Sequence, residues 1–247
     1  SSRNPIIDEL LGNKPRIVLL NKSDLADQDA NKSWQAYFKG KGINTVMIDS
    51  LSGKGISNFK SEISRALHEK LQRDKSKGMT KAPRVMILGI PNVGKSSFIN
   101  RISGEKKAKA EDRPGVTRGK QWIYVDGLQL LDTPGILWPK FEDRETAMNL
   151  AFTGAIRDDI YDVQGVAAAL VKKLYEITPK LLCERYKIEA TGEDTGLQLL
   201  TRIGKKRGFL IVGGEIDLER TARIVLDEFR AAKIGRITLE LPEGESI

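Results

Sequence analysis

Residues 89–96 read Gly-Ile-Pro-Asn-Val-Gly-Lys-Ser, the G-x-x-x-x-G-K-[ST] spacing of a phosphate-cradling loop. Its glycines let the backbone wrap closely around an anion, so that successive N–H groups converge on phosphate oxygens. Lys95 can reach the β- and γ-phosphates of a nucleotide, and the Ser96 hydroxyl can ligate Mg²⁺. Asn92, Val93, Gly94 and Ser97 complete the candidate phosphate-contacting set. The context supports this, because an apolar strand, Arg84–Gly89, precedes the loop and a helix, Lys95–Ser103, leaves it.

A second constellation lies upstream. Asn21-Lys22-Ser23-Asp24 has the N-K-x-D form of a guanine reader. Asp24 would accept hydrogen bonds from guanine N1–H and the 2-amino group. Adenine offers neither donor and would leave a buried carboxylate unpaired, at a cost on the order of several kcal/mol. Asn21 would brace the phosphate loop and the base, with the Lys22 stem along the ring. Asp49 and Ser50 follow the next strand, where a short segment can touch the base O6. Downstream, Asp132-Thr133-Pro134-Gly135 ends a strand. Asp132 suits Mg²⁺ held through water, and the Gly135 N–H can face a γ-phosphate.

Thr117, within Pro114-Gly115-Val116-Thr117, is the candidate switch residue that closes on Mg²⁺. Lys95, Thr117 and Gly135 are thus the catalytic candidates, and Ser96, Thr117 and Asp132 the metal candidates. Ile136 stands where Ras-like enzymes place a water-orienting Gln. Chemistry must then be completed by another residue, an ion or a partner. Asn92 matches the asparagine with which K⁺-activated GTPases hold a monovalent cation, so stimulation by K⁺ is expected.

In the ordinary GTPase order the phosphate loop comes first and the base reader late. Here the cyclic order is kept and the cut is elsewhere, so the chain resembles a circularly permuted GTPase. Two rivals stay open at this point. One is a P-loop ATPase or kinase in which residues 21–24 are accidental. The other is an RNA-binding scaffold that uses GTP without significant hydrolysis.

At 247 residues the chain can hold one α/β domain and a smaller second one. No apolar run approaches bilayer length. A single cysteine, Cys183, forbids an internal disulfide and fits a reducing cytoplasm, and with His68 as the sole histidine, histidine-based chemistry is disfavoured. The net charge is +8 and unevenly placed: residues 1–144 hold 26 Lys+Arg against 16 Asp+Glu, the remainder 15 against 17. A basic excess suits a polyanion such as RNA, or simply solubility. Lys106, Lys107, Lys109, Arg113, Arg118 and Lys120 form one candidate footprint. Arg220, Arg223, Arg230 and Lys233, on one flank of the last helix and joined by Arg202–Arg207, form another.

Short apolar runs predict strands at 15–22, 45–50 and 84–89. Asp126-Gly127 between 121–125 and 128–133 predicts a hairpin. Ile56, Phe59, Ile63, Leu67 and Leu71 predict an amphipathic helix over 56–73, and 75–83 reads as a linker. After Arg144 the pattern is helical throughout: 145–157, 163–177, 179–186, 194–204 and 217–233. The fold class expected is α/β, a P-loop NTPase (Rossmann-like) sheet in permuted order over 1–144, followed by a small all-helical domain over 145–247.

Taken together, Asn21–Asp24, Gly89–Ser97, Pro114–Thr117 and Asp132–Gly135 resemble the circularly permuted ribosome biogenesis GTPase A (RbgA/YlqF) family. Ile136-Leu137-Trp138-Pro139-Lys140 and Ser2-Arg3-Asn4-Pro5 are similar to it as well. The resemblance implies a cytoplasmic GTPase, binding GTP, GDP and Mg²⁺, that acts on a large ribosomal subunit precursor and its rRNA, probes RNA with its C-terminal helices and is monomeric off the ribosome. It also implies a further strand and helical segment before Ser2, with the strand lying between 84–89 and 15–21. On that basis the chain is expected to be an N-terminally incomplete version, and a catalytic histidine proposed for that segment has no counterpart here.

Overall fold

A computed structural model describes residues 5–12, 14–78, 82–104, 121–137 and 143–242. Thr117, the basic cluster 106–120 and Trp138 lie outside them. The described residues divide into two compact units, one of 5–137 together with 241–242 and one covering 143–240.

The first unit begins with a short helix, α1 (Pro5–Leu11), and β1 (Ile17–Leu20). Helix α2 (Gln28–Gly40) leads to β2 (Asn44–Met47), which pairs with β1 in parallel from Ile17↔Asn44 to Leu20↔Met47. The long helix α3 (Ile56–Ser76) follows. Then come β3 (Arg84–Ile87), α4 (Lys95–Ser103), β4 (Gln121–Val125) and β5 (Leu128–Asp132). Strand β3 pairs with β5 in parallel, and β4 with β5 antiparallel. Asp126 and Gly127 both take positive φ, 47° and 74°, as the two-residue turn predicted from the sequence requires.

The apolar stripe of α3 does what its spacing demands. Phe59, Ile63 and Leu67 are buried against Phe98, Ile99 and Ile102 of α4, and share a core with Val46, Ile48, Ile123 and Leu130 of the strand segments. Phe59 and Phe98 meet edge to face at 4.9 Å between ring centroids. The sheet is not continuous: β1–β2 and β3–β5–β4 are separate ladders. The face of the second ladder away from the core leaves Met86, Trp122 and Tyr124 about half exposed.

Helices α1 and α2 escape the sequence pattern, and α3 runs through Ser76 into the expected linker. Asp27 nevertheless caps α2 by a legible mechanism, its carboxylate accepting from Asp29 N (3.0 Å) and Ala30 N (2.8 Å).

The second unit contains α5 (Arg144–Phe152), a 3₁₀ turn at Asp158–Ile160, α6 (Val163–Ile177), α7 (Pro179–Tyr186), α8 (Gly196–Arg207) and α9 (Leu218–Arg230). Helix α6 is the centre. Val166, Ala167, Leu170, Val171 and Leu174 pack against Leu199, Leu200 and Ile203 of α8 and Ala222, Val225 and Leu226 of α9. A Cβ on Gly196 would stand 2.0 Å from Ala168 O, so α8 approaches α6 as closely as only glycine allows. Between α8 and α9 the chain makes a small hairpin through a Leu210↔Ile216 bridge, which the helical reading did not anticipate.

Arg230 corrects the exposed basic flank expected on the last helix. Its guanidinium donates to Ala151 O, Phe152 O and both oxygens of Asp158, all at 2.8–3.0 Å. It fastens the 3₁₀ turn and the end of α5 to α9. The Arg230 hydrogen bond holds the Asp158 carboxyl below the usual carboxylate range, against burial. The stability this confers is complete above the unfolded carboxylate pKa and is lost as pH falls through the lowered folded value. Arg230→Ala should therefore cost about 2–4 kcal/mol at neutral pH, by leaving the partly buried Asp158 carboxylate without its cation and Phe152 O without the guanidinium donor. Urea unfolding of the variant should show that loss shrinking toward pH 3.

Candidate nucleotide site

The loop 89–94 joins β3 to α4, and each glycine in it has a reason. Gly94 caps α4 at φ 89°, and a Cβ there would lie 2.3 Å from Asn21 Nδ2. Backbone strain and side-chain approach thus both exclude a larger residue. A Cβ on Gly89 would press on Val93 Cγ2 at 3.0 Å. Asn92 also adopts a left-handed φ of 58°. No side chain caps α4, so its first N–H groups, with Ser96 and Ser97 in the opening turn, suit an anionic ligand.

Lys95 folds across the loop, Nζ donating to Gly89 O (3.0 Å) and Ile90 O (2.9 Å). Burial depresses its pKa, and the Asp132 charge opposes that. Asp132, at the end of β5, is 1% exposed. Burial pushes its carboxyl above the ordinary range, against Lys95, a Ser96 hydrogen bond and the Thr133 N–H. Among the described residues its Oδ1 has no hydrogen-bond partner. Thr133 Oγ1 donates to Ile87 O at 2.7 Å and Ile136 N to Gly89 O at 3.1 Å, lacing 132–136 to the phosphate loop. A Cβ on Gly135 would meet Pro91 N at 2.6 Å and Pro91 Cα at 2.7 Å, so only glycine can lie there.

The upstream motif reaches the same place. Asn21 Nδ2 donates to Val93 O at 2.7 Å, and Asn21 Oδ1 accepts from Ser50 N (3.2 Å) and Ser50 Oγ (2.8 Å). Lys22 turns the chain with φ 57°. Ser23 donates from N (3.2 Å) and Oγ (3.0 Å) to Ile48 O, and its own carbonyl accepts from Asn31 Nδ2 at 2.9 Å. These bonds fix the turn that carries the half-buried Asp24. Asp49 is spent on its own loop, Oδ1 accepting from Leu51 N (2.9 Å) and Ser52 N (3.2 Å). Burial works against its charge, but these donors and Arg101 hold its carboxyl below the usual range.

Direct bonds therefore join Asn21, Ser50 and Val93 O, while Asp132 lies beside Lys95 and Ser96 and Gly135 packs on Pro91 of the loop. Thr117 lies outside the described residues. Asn31 and Arg101 were not singled out by sequence; each is a single polar residue on a helix with no motif to mark it. The second basic cluster is largely consumed internally. Arg202 pairs with Asp194 at 2.6 Å, Arg223 with Glu219 at 2.6 Å and Arg207 with Glu228 at 3.3 Å, whereas Lys205 and Lys206 are exposed.

Comparison with known proteins points the same way. Residues 84–185 match a family model described as a 50S ribosome-binding GTPase. The chain is 49% identical over 245 residues to ribosome biogenesis GTPase A of Priestia megaterium, covering 98% of this chain and 85% of that protein. It is 46% identical to the Bacillus pumilus protein of the same name, covering 99% and 87%. Among solved structures, GNP-bound YlqF from T. maritima superposes with a TM-score of 0.60 at 27% identity, over 92% of this chain and 82% of that one. A GDP-bound YlqF gives 0.61, over 92% and 83%.

Proposed function

The chain belongs to the ribosome biogenesis GTPase A family, and from that premise we propose that it is a GTP-hydrolysing assembly factor of the large ribosomal subunit. The GTPase machinery occupies 1–144 and a helical domain 145–247. The observation that carries the nucleotide reading is the Asn21 bridge. One carboxamide joins the base-reading motif to the phosphate loop at Val93 O, across 72 residues of sequence. An accidental N-K-x-D would have no reason to arrive there, which disfavours the ATPase or kinase reading. Competition binding checks it: GTP should displace a labelled guanine nucleotide, and ATP at the same concentration should not.

In this reading Asp24 reads guanine N1–H and the 2-amino group, and Asn21 and Lys22 hold the base edge and face. The 92–97 backbone and Lys95 grip the phosphates, and the Gly135 N–H senses the γ-phosphate. Mg²⁺ fits the donor set, because among the described residues Asp132 keeps a buried oxygen without a partner beside Ser96. Ser96 and Asp132, with Thr117, would hold it, and when bound it neutralises charge on the phosphate oxygens. The chain's own residues do the rest: they align the phosphates and exclude the wrong base.

Ile136 is 40% exposed and has no group to orient water. Hydrolysis should be slow unaided and faster on the ribosomal particle, as a single-turnover assay with and without large subunits would register; no hydrolysis in either would favour the scaffold reading. It should also be faster in K⁺ than in Na⁺, with Asn92→Ser removing the difference and leaving GDP binding largely intact. Equal rates in the two salts, with and without particles, would remove Asn92 from that role. Cytoplasmic action as a monomer, through rRNA contacts of the basic N-terminal half, follows from the same reading. Co-sedimentation with large-subunit precursors in GTP and GDP tests it.

A further inference from the structure

Ser50 is held from two sides. Asn21 takes its N–H and hydroxyl, while the Arg101 Nε donates to its carbonyl at 3.2 Å. The Arg101 side chain also lies flat on the next turn of that loop: a Cβ on Gly53 would sit 3.3 Å from Nε, 3.4 Å from Cδ and 3.5 Å from Cζ. Further bonds hold the loop to itself, from Leu51 N and Ser52 N to Asp49 Oδ1 and from Gly53 N to Asp49 O, and to the start of α3, from Asp49 N to Lys54 O and from Ile56 N to Gly53 O. Leu51 at its tip is 79% exposed and adds little packing. The loop is thus tied to Asn21 and to α4 through its two tethers.

The tethers form a closed circuit. It runs from Val93 to Asn21, to Ser50, to Arg101, and back along α4 to the loop that contains Val93. Arg101 lies six residues into α4, about 9 Å along the axis from Lys95. The helix that presents Lys95 and Ser96 to the phosphates thus also fixes the height of 49–53. Its Nε bond to Ser50 and its charge beside Asp49 both draw the loop onto α4.

We propose that Arg101 is a positioning residue for guanine recognition, clamping the 49–53 loop onto the helix that leaves the phosphate loop. The proposal rests on the guanine-binding reading above, in which this loop faces the 6-oxo edge of the base. Without the clamp one side of the circuit opens and the loop drifts from that edge. The Asp24 contacts to N1–H and the 2-amino group, and the phosphate contacts, stay in place. Preorganisation of this kind raises affinity by removing the cost of ordering the loop on binding.

The test compares GDP with 6-thio-GDP on the full chain. The analogue keeps N1–H, the 2-amino group and both phosphates but has a poor acceptor at position 6. Arg101→Met keeps the apolar stem over Gly53 and deletes the donor and charge. It should weaken GDP about five- to tenfold, the worth of one lost hydrogen bond, and weaken 6-thio-GDP less than about threefold. Arg101→Lys, which restores a donor and a charge, should recover most of the preference for GDP. Equal losses for the two nucleotides would make Arg101 a support of the fold alone, and unchanged GDP affinity would overturn the clamp. A wild type that binds GDP no better than ADP would instead bring down the guanine-binding reading, and this proposal with it.

Discussion

Asp24→Asn should lower affinity for GDP and GTP by about a hundredfold or more and transfer preference to xanthine nucleotides. Two charge-assisted hydrogen bonds to the carboxylate are lost or weakened, each worth about 1.5–3 kcal/mol. The asparagine also turns an NH₂ donor toward the guanine 2-amino group, a donor facing a donor. Xanthine reverses the problem, because its 2-oxo group accepts from that NH₂ while its N1–H still donates to the amide oxygen. The turn itself should survive. It is held by Ser23 to Ile48 O and by Asn31 to Ser23 O, none of which involves the Asp24 carboxylate. Calorimetric titration with GDP, XDP and ADP reads the change directly. An unaltered GDP affinity would remove Asp24 from base reading.

What could be read from the chain and what could not divide along one line. Features written in consecutive residues were legible. The strands on either side of Asp126-Gly127 fall where the turn places them, and α6 and α7 span 163–177 and 179–186 as their periodicity predicts. Asp162 caps the first and Pro179 opens the second. The phosphate loop and N-K-x-D are likewise local patterns. Pairings across long sequence separations were not legible. Arg230 looks like any solvated residue on a helix flank until Asp158, 72 residues away, is folded against it. Arg101 has no motif, and its meaning arises only when Ser50 arrives 51 residues out of register. Helix α2 was also not read from the sequence; of its residues only Ala30 is buried, and its aromatic residues Trp34, Tyr37 and Phe38 cluster with one another. The strand pairings belong to the same class, since four-residue runs such as 17–20 and 84–87 state that they are strands but not which neighbour they pair with.

The permutation leaves the site intact because contacts, not connectivity, define it. Asn21 precedes the phosphate loop in this chain, yet its carboxamide reaches the loop backbone as a late motif would in the ordinary order. The constraint falls on the glycines. Gly94 must leave room for the Asn21 Nδ2, and Gly135 for the Pro91 backbone, whatever the order in which the segments are synthesised.

Asp132→Asn should reduce GTP hydrolysis at least about a hundredfold, the scale on which a lost group that stabilises transition-state charge is felt. It should also abolish the gain in nucleotide affinity that Mg²⁺ confers, while GDP binding in EDTA changes little. Asp132 is buried at the end of β5 with one oxygen lacking a hydrogen-bond partner among the described residues, and burial raises its pKa. A carboxylate kept in such surroundings costs stability unless a cation compensates it, and Lys95 is already spread over two carbonyls. The same substitution should therefore leave the thermal midpoint of the nucleotide-free, Mg²⁺-free protein unchanged or higher. In the wild type, Mg²⁺ with GDP should raise that midpoint more than GDP alone, and the variant should lose this increment. A variant that lost stability without nucleotide yet retained its Mg²⁺ response would make Asp132 a structural partner of Lys95 and Ser96, and the metal would have to be held elsewhere.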